Sequence, residues 1–98
     1  MFEDHPELIL RNIRDGPISA TVEMVALETG ATVLSDESQV DPVDHIEWQL
    51  DLTETTYRIS TTLQDGSSKS RRWPWGEQSN YMDIVVWDEE IEYMERAY

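Results

Sequence analysis

The chain has 98 residues, with 21 acidic side chains against seven Lys and Arg, no cysteine, and a formal net charge of −14. This length suits one domain with a core of its own, and the lack of cysteine excludes a disulfide framework or a thiolate zinc site. The sequence has neither the run of about 18 apolar residues that a membrane-spanning helix needs nor the pattern of a secretory signal. We therefore expect a cytoplasmic protein or part of an assembly built inside a cell.

The excess of acids predicts a protein adapted to concentrated salt. Residues 15–57 contain ten acids and no Lys or Arg. At a mean separation of roughly 18 Å in water, fourteen excess charges repel by about 20 kcal/mol when unscreened, which rivals a domain stability of roughly 5–15 kcal/mol. At about 1 M salt the Debye length of about 3 Å removes almost all of this repulsion. Intrinsic disorder is the alternative, but four Trp and four Tyr argue against it.

The first part of the chain predicts three strands. Residues 8–13 form a short strand, which Asp15-Gly16-Pro17 ends with turn chemistry. Residues 18–27 alternate apolar and polar side chains, so a strand is favoured there over a helix. A further strand begins at residues 31–34, and the acidic residues 35–40 either extend it or form a loop.

The central part of the chain predicts an antiparallel meander of three strands. Residues 45–52 and 56–63 both alternate strictly, which is typical of half-buried strands. Residues 68–75 return as the third strand after Asp65-Gly66, because Gly accepts the positive φ that a hairpin turn requires.

The last part of the chain predicts two more strands, at residues 81–87 and 91–94. One or two helical turns over residues 90–98 are the alternative to the final strand. Both faces of residues 81–87 are apolar, whereas one face of a sandwich sheet is usually wet. We therefore expect the C-terminal segment or a partner chain to cover one of these faces.

The spacing of these elements predicts the fold. Seven to eight short strands, with turn signals about every ten residues, indicate an all-β protein built as a single antiparallel β-sandwich. A small β-barrel is the alternative, because alternation does not report whether a sheet closes on itself. We assign the sandwich to residues 8–98 and a loose acidic lead-in to residues 1–7.

The order of the strands, together with Tyr57, Asp65-Gly66 and Trp73-Pro74-Trp75, resembles a known group of domains. These are the small immunoglobulin-like β-sandwich domains of salt-loving archaea and their viruses, and the resemblance covers about residues 8–94. It implies a seven-stranded, non-enzymatic module that is often displayed at a cell or particle surface. Because the chain carries no secretion or lipid-attachment signal, a virion or other assembly component fits better than a cell-surface protein.

The sequence offers little for catalysis or metal binding. His5 and His45 are the two histidines and have no metal-ligand spacing, so we expect surface side chains. No serine lies in a nucleophile elbow, and no glycine-rich phosphate loop is present, so we expect no enzyme and no cofactor. Two acidic clusters could supply oxygen ligands for Ca²⁺ or Mg²⁺, although a solvated loop is favoured for both. They are Asp36, Glu37, Asp41 and Asp44, which are the weak candidates for a site, and Asp88-Glu89-Glu90.

A basic and aromatic segment at residues 69–75 is the best candidate for binding. The negative remainder of the chain repels a polyanion, so we expect a protein partner rather than nucleic acid. The alternative is that Trp73 and Trp75 pack inward while Lys69 and Arg71 pair with local acids. Arg and Trp dominate interface hot spots, and the predicted interface anchors are Arg71, Arg72, Trp73, Trp75 and Trp87.

Together these features predict a non-enzymatic structural or adhesion module of a larger salt-adapted assembly. The assembly that fits best is a virion of a haloarchaeal virus, with the chain as a capsid, tail or surface-decoration component. Such a module binds protein partners or other copies of itself and does not insert into a membrane. A soluble β-sandwich that binds a carbohydrate or another small ligand is the alternative.

Overall fold

The computed structural model describes residues 6–97, so residues 1–5 of the predicted lead-in, including His5, lie outside that range. The described residues contain no helix that could cross a membrane. They form eight strands: β1 (Leu8–Asn12), β2 (Ile18–Ala26), β3 (Thr32–Val40), β4 (His45–Trp48), β5 (Thr55–Leu63), β6 (Ser68–Trp75), β7 (Tyr81–Val86) and β8 (Ile91–Arg96). The predicted strand at residues 31–34 thus extends through the acidic residues, and the C-terminal segment is a strand rather than a helix.

The strands form two four-stranded sheets, which confirms the predicted all-β sandwich. The first sheet has the order β4-β1-β7-β8 and the second has the order β3-β2-β5-β6. Within residues 6–97 no strand is shared by the two sheets, so the alternative of a closed barrel does not apply. All pairs are antiparallel except β1 and β7, which run parallel. In immunoglobulin sandwiches the second and fifth strands are also neighbours in one sheet. The other strand neighbours in this protein differ from the immunoglobulin order.

The predicted meander is wrong in one pairing. β4 pairs with β1 in the first sheet, while β5 and β6 form the predicted hairpin in the second. Between them the chain crosses from one sheet to the other, and Tyr57 fixes this crossing. Its hydroxyl donates to Thr53 O and accepts from Thr53 N, both at 3.1 Å. A tyrosine bonded to backbone a few residues upstream is a known corner of β-sandwiches.

The core lies between the two sheets and follows the period of two. In β2 every second residue from Ile18 to Ala26 is at most 8 % exposed. The facing side of the first sheet contributes alternate residues such as Leu8, Leu10 and Ile84, which are fully buried. Because successive side chains of a strand point to opposite faces, the intervening residues form the outer faces of the sandwich.

β7 is buried on both faces. It lies inside the first sheet, between β1 and β8, and its outer face carries an acid that neighbouring side chains enclose. Asp83 on its outer face is 4 % exposed. It accepts a bond from Arg11 Nε at 3.0 Å and another from the Tyr81 hydroxyl at 3.0 Å. β8 extends the sheet beside β7 instead of covering it, which corrects the expectation that the C-terminal segment lies over this face.

Candidate interaction surface

The predicted basic and aromatic segment is β6, an edge strand whose side chains are divided between two faces. Trp73 points inward and is 0 % exposed, so alternation places Lys69 and Arg71 on the same inner side. Arg72 lies on the outer face, directly opposite Arg58 of β5. The segment therefore forms no single patch, and its members have separate environments.

Trp73 is a core residue, which corrects the prediction that it anchors an interface. Its indole Nε1 donates to Ser79 Oγ at 2.9 Å, and Ser79 Oγ donates to Glu95 Oε2 at 2.8 Å. Arg71 Nη2 pairs with the other carboxylate oxygen, Glu95 Oε1, at 2.6 Å. Arg71 is thus occupied by a local acid, as in the alternative interpretation of this segment.

Lys69 and Tyr93 lock the edges of the two sheets together. Lys69 Nζ donates to Ile91 O at 2.8 Å, and the Tyr93 hydroxyl donates back to Lys69 O at 2.7 Å. Burial raises the pKa of Tyr93 to about 12, so the hydroxyl keeps its proton at neutral pH. Inward charged side chains that occupy an edge in this way oppose the addition of a further strand. This side of the sandwich is therefore unsuited to edge-to-edge pairing.

The four acidic candidates for a metal site do not converge. Asp36 points inward from β3 and accepts a bond from Trp48 Nε1 at 2.9 Å, whereas Glu37 follows it on the opposite face. Asp41 and Asp44 belong to the next turn, where Asp44 Oδ1 accepts from the His45 backbone N–H. Residues 6–97 hold no group of three acids or histidines arranged as metal ligands. His45 itself contacts Glu47 Oε1 at 3.1 Å on an exposed face.

Three large apolar side chains are exposed at one end of the first sheet, on neighbouring strands. Ile13 follows β1, Val43 precedes β4 and Trp87 follows β7, with exposed fractions of 42 %, 85 % and 40 %. Val43 N donates to Asn12 O at 2.9 Å, and Ile13 N donates to Val86 O at 3.0 Å. These backbone bonds hold the three residues at adjacent positions. We call Ile13, Val43 and Trp87 the apolar end.

Val43 has a backbone conformation that a valine rarely adopts. Its φ is 63°, and it is the one residue other than glycine with a positive φ in residues 6–97. The left-handed region costs an L-residue with a Cβ roughly 1–2 kcal/mol, and for a β-branched side chain it is an outlier. Strain of this kind is concentrated at functional sites. The turn thus holds a strained, almost fully exposed valine.

Buried Asn12 fixes the backbone around this turn. Its Nδ2 donates to Gly16 O and to Val40 O, both at 2.9 Å, and its Oδ1 accepts from Arg14 N at 2.8 Å. One amide therefore joins the turn after β1 to the end of β3 in the other sheet. The position of Val43 is set by this rigid support rather than by a loose loop.

Trp87 is held from three directions. Its Nε1 donates to Glu92 Oε1 at 3.0 Å, its N donates to Glu90 O at 2.8 Å, and its O accepts from Arg14 Nε at 2.7 Å. The two backbone bonds fix the main chain and the Nε1 bond orients the ring, so the ring loses little freedom when a partner covers it. Of the predicted anchors, Trp87 is the one that the structure places in the apolar end.

Acidic side chains surround the apolar end. Asp41 and Asp44 flank Val43 in its turn, and the exposed run Asp88-Glu89-Glu90 follows Trp87 directly. An apolar centre within a charged rim is the usual anatomy of a protein interface. Arg14 is the basic group beside Trp87, but it is bonded to Trp87 O and paired with Asp65. Acids therefore predominate at the rim, which favours a partner surface that carries basic groups.

A groove lies beside Trp75, at the opposite end of the molecule from the apolar end. This groove of about 430 Å³ is lined by the ring of Trp75, by Pro74, and by the acids Glu54 and Glu77. The Trp75 indole N–H is buried without an acceptor in the structure. Trp75 is therefore half-buried at a groove and not an exposed anchor on a flat face.

The comparisons with known proteins give no family. No protein-family model matches the chain, no curated protein matches it, and no solved structure matches it. The resemblance to immunoglobulin-like domains of salt-loving archaea stays a prediction from the sequence. The functional argument therefore depends on the surfaces described above.

Proposed function

We propose that the chain is a non-enzymatic structural module of a larger salt-adapted assembly, and that it joins this assembly through the apolar end. The observation that carries the proposal is Val43, which is 85 % exposed and held at a φ of 63°. A glycine or asparagine in this turn would avoid the strain, and a polar residue would avoid the exposure. Position 43 has neither kind of residue, which is consistent with a valine side chain that contacts a partner.

Magnitudes favour an interface over a chance exposure. Burying an apolar side chain of this size is worth about 1.5–3 kcal/mol, and Val43 lies beside two others, Ile13 and Trp87. Covering all three gains several kcal/mol, more than the strain costs the folded chain. The area is modest, so we expect a weak contact that repetition in an assembly strengthens.

Within this class we propose a virion component of a haloarchaeal virus, as part of the capsid, tail or surface decoration. The net charge of −14 supports a setting with abundant counterions. The resemblance to the β-sandwich domains of salt-loving archaea and their viruses supports a haloarchaeal virus as the source of the protein. Either location, a virion or the cytoplasm in which it is assembled, provides many neighbouring protein surfaces.

Two substitutions in the apolar end should weaken self-association. Val43→Gly relieves the strained φ, so we expect it to raise the free energy of unfolding by about 1 kcal/mol while it removes the contact. Trp87→Ser removes the aromatic anchor. In about 1 M KCl, where the Debye length is about 3 Å, size-exclusion chromatography with light scattering should show the wild type associating. Each variant should shift the midpoint concentration upward by about tenfold or more.

Val33→Ser is the matched control for this experiment. Val33 is 39 % exposed, like Trp87, but lies near the start of β3, the strand at the opposite edge of the second sheet from β6. We expect this variant to associate as the wild type does. A wild type that stays monomeric, or variants of the apolar end that associate normally, would contradict the proposed function.

The groove beside Trp75 supports a second candidate function, the binding of a carbohydrate. An aromatic side chain with nearby carboxylates suits a sugar ring, and Trp75 lines this groove beside Glu54 and Glu77. Titration of mono- and oligosaccharides, followed by tryptophan fluorescence, should then give a saturable change that Trp75→Phe weakens and Trp87→Phe does not. A signal that is unaffected by Trp75→Phe would exclude this groove.

A further inference from the structure

Two of the seven basic side chains have no partner within residues 6–97. Five are held by local groups: Arg11, Arg14, Lys69, Arg71 and Arg96. Arg58 and Arg72 make no ion pair or hydrogen bond there, although the protein carries 21 acids. In so acidic a molecule, two cations left free side by side are an unexpected arrangement.

Arg58 and Arg72 face each other on the outer side of the second sheet. They are directly opposite in the β5–β6 register, and their inward neighbours Tyr57 and Trp73 are buried. Directly opposite residues have Cβ atoms about 5 Å apart, and like charges at this spacing destabilise a sheet. The nearest acid on this face is Glu23, which lies one row away opposite Ser60 and makes no ion pair with Arg58.

The two guanidinium groups have the chemistry to bind carboxylates. Each presents a planar fork that binds a carboxylate through two parallel hydrogen bonds, and the pair together suits two neighbouring acids. The adjoining row, Ser60 and Ser70, is uncharged and small, so a partner can approach the sheet closely. An incoming acidic segment removes the repulsion between the arginines as it binds.

The apolar end of the same molecule, with its rim of acids, cannot reach this site. Arg58 lies five residues before Leu63, or about 17 Å along the strand, while Leu63 adjoins the turn that meets Arg14 through Asp65. Arg14 in turn contacts Trp87. The apolar end is thus at the opposite end of the molecule from Arg58 and Arg72, and in the other sheet.

We infer that the apolar end of one copy docks on the Arg58–Arg72 face of a second copy. This inference rests on the proposed function and names the surface of the second copy that receives the apolar end. The acidic run Asp88-Glu89-Glu90 supplies carboxylates to the two forks, and Trp87 supplies a ring over which a guanidinium can lie. Within residues 6–97 these arginines are the basic side chains without a local partner, so they are the surface that best complements the acidic rim of the apolar end.

The geometry of this contact predicts an open series of copies. The two surfaces are different and lie on opposite ends, so each molecule can use both at once. A heterologous contact of this kind builds a ring or a filament. Salt should favour it, because long-range repulsion between copies of charge −14 is screened while bonds shorter than a Debye length of about 3 Å at 1 M survive.

Mixing two blocked variants tests the inference. The face variant, Arg58→Ser with Arg72→Ser, keeps its apolar end, and the end variant, Val43→Gly with Trp87→Ser, keeps its face. In about 1 M KCl each variant alone should associate at least about tenfold more weakly than the wild type. A mixture should form a 1:1 dimer and nothing larger, as measured by light scattering and analytical ultracentrifugation.

Controls and contrary outcomes separate this inference from the proposed function. Gln49→Glu with Ala97→Glu places two acids on exposed residues that follow β4 and β8, at the end of the first sheet away from the apolar end. It gives the same net charge as the face variant, −14 − 2 = −16, and should associate like the wild type. A face variant that associates normally while the end variant does not would overturn this inference and leave the proposed function standing. A monomeric wild type would overturn both. Binding of a DNA oligonucleotide through Arg58 and Arg72, with no dimer in the mixture, would assign the face to phosphate instead.

Discussion

Replacing Trp73 with alanine is expected to lower the free energy of unfolding by about 3–5 kcal/mol, the range for a large aromatic side chain in a core. Trp73 is 0 % exposed and is the largest fully buried side chain of the described residues. Its removal leaves a cavity between the sheets. It also takes away the donor to Ser79, and Ser79 in turn bonds to Glu95. The loss approaches the whole stability of a marginal domain.

Urea denaturation in about 1 M KCl, where self-repulsion is screened, measures this effect. Trp87→Ala is the matched control, measured at protein concentrations below the association midpoint. Because Trp87 is 40 % exposed and lies outside the core, we expect it to lose only about 1 kcal/mol. Trp73→Phe loses the N–H and the five-membered ring but keeps a large aromatic ring in the core, so we expect an intermediate loss of about 2 kcal/mol. Equal effects of the two alanine substitutions would show that the position of Trp73 described above is wrong.

The strands could be predicted from the sequence because their signal is local. Alternation in residues such as 18–27 and 56–63 places one face in a core whatever the topology, and turn residues separate the runs. The partner of each strand is not local. β4 alternates as well as β5 does, but nothing in its residues states that it pairs with β1. The Tyr57 hydroxyl bonds that fix the crossing depend on the folded backbone.

The candidate surface was harder to predict because side-chain type does not fix the direction in which a face points. Lys69, Arg71 and Trp73 share one face by their spacing, and that face mixes charged with aromatic residues. Only the packing shows that it points inward, with the charges at the rim of the core. Arg72, between them in sequence, lies on the other face.

The apolar end gave an even weaker signal in the sequence. Val43 follows Asp41-Pro42, which predicts a turn and nothing about the sign of its φ. Asn12 ends a strand, where a polar residue is ordinary, so its role in joining two turns is visible only in three dimensions. A fully exposed valine and an unpaired arginine are both defined by what they do not contact. A sequence does not report this directly.

The stability of the fold should depend steeply on salt. The folded chain has a radius of gyration of 13.2 Å and a net charge of −14, whereas an unfolded chain of this length spreads to roughly 30 Å. Folding therefore compresses the charges. Lowering KCl from about 1 M to about 10 mM lengthens the Debye length from about 3 to 30 Å, and at these separations we expect a loss of about 5–10 kcal/mol. Urea, which is uncharged, lets the free energy of unfolding be measured at each salt concentration.

Reducing the net charge should reduce this dependence in a calculable way. Glu37 and Asp51 are exposed, and Glu37→Lys with Asp51→Lys changes the net charge from −14 to −10, since each substitution adds two charges. Repulsion grows with the square of the net charge, so the change in free energy between the two salt concentrations should fall to about half. If the charge-reduced chain showed the full salt dependence, specific ion binding rather than self-repulsion would be its cause. If the wild type were equally stable at about 10 mM and 1 M KCl, where screening differs most, the salt-adapted assembly would lose its physical basis.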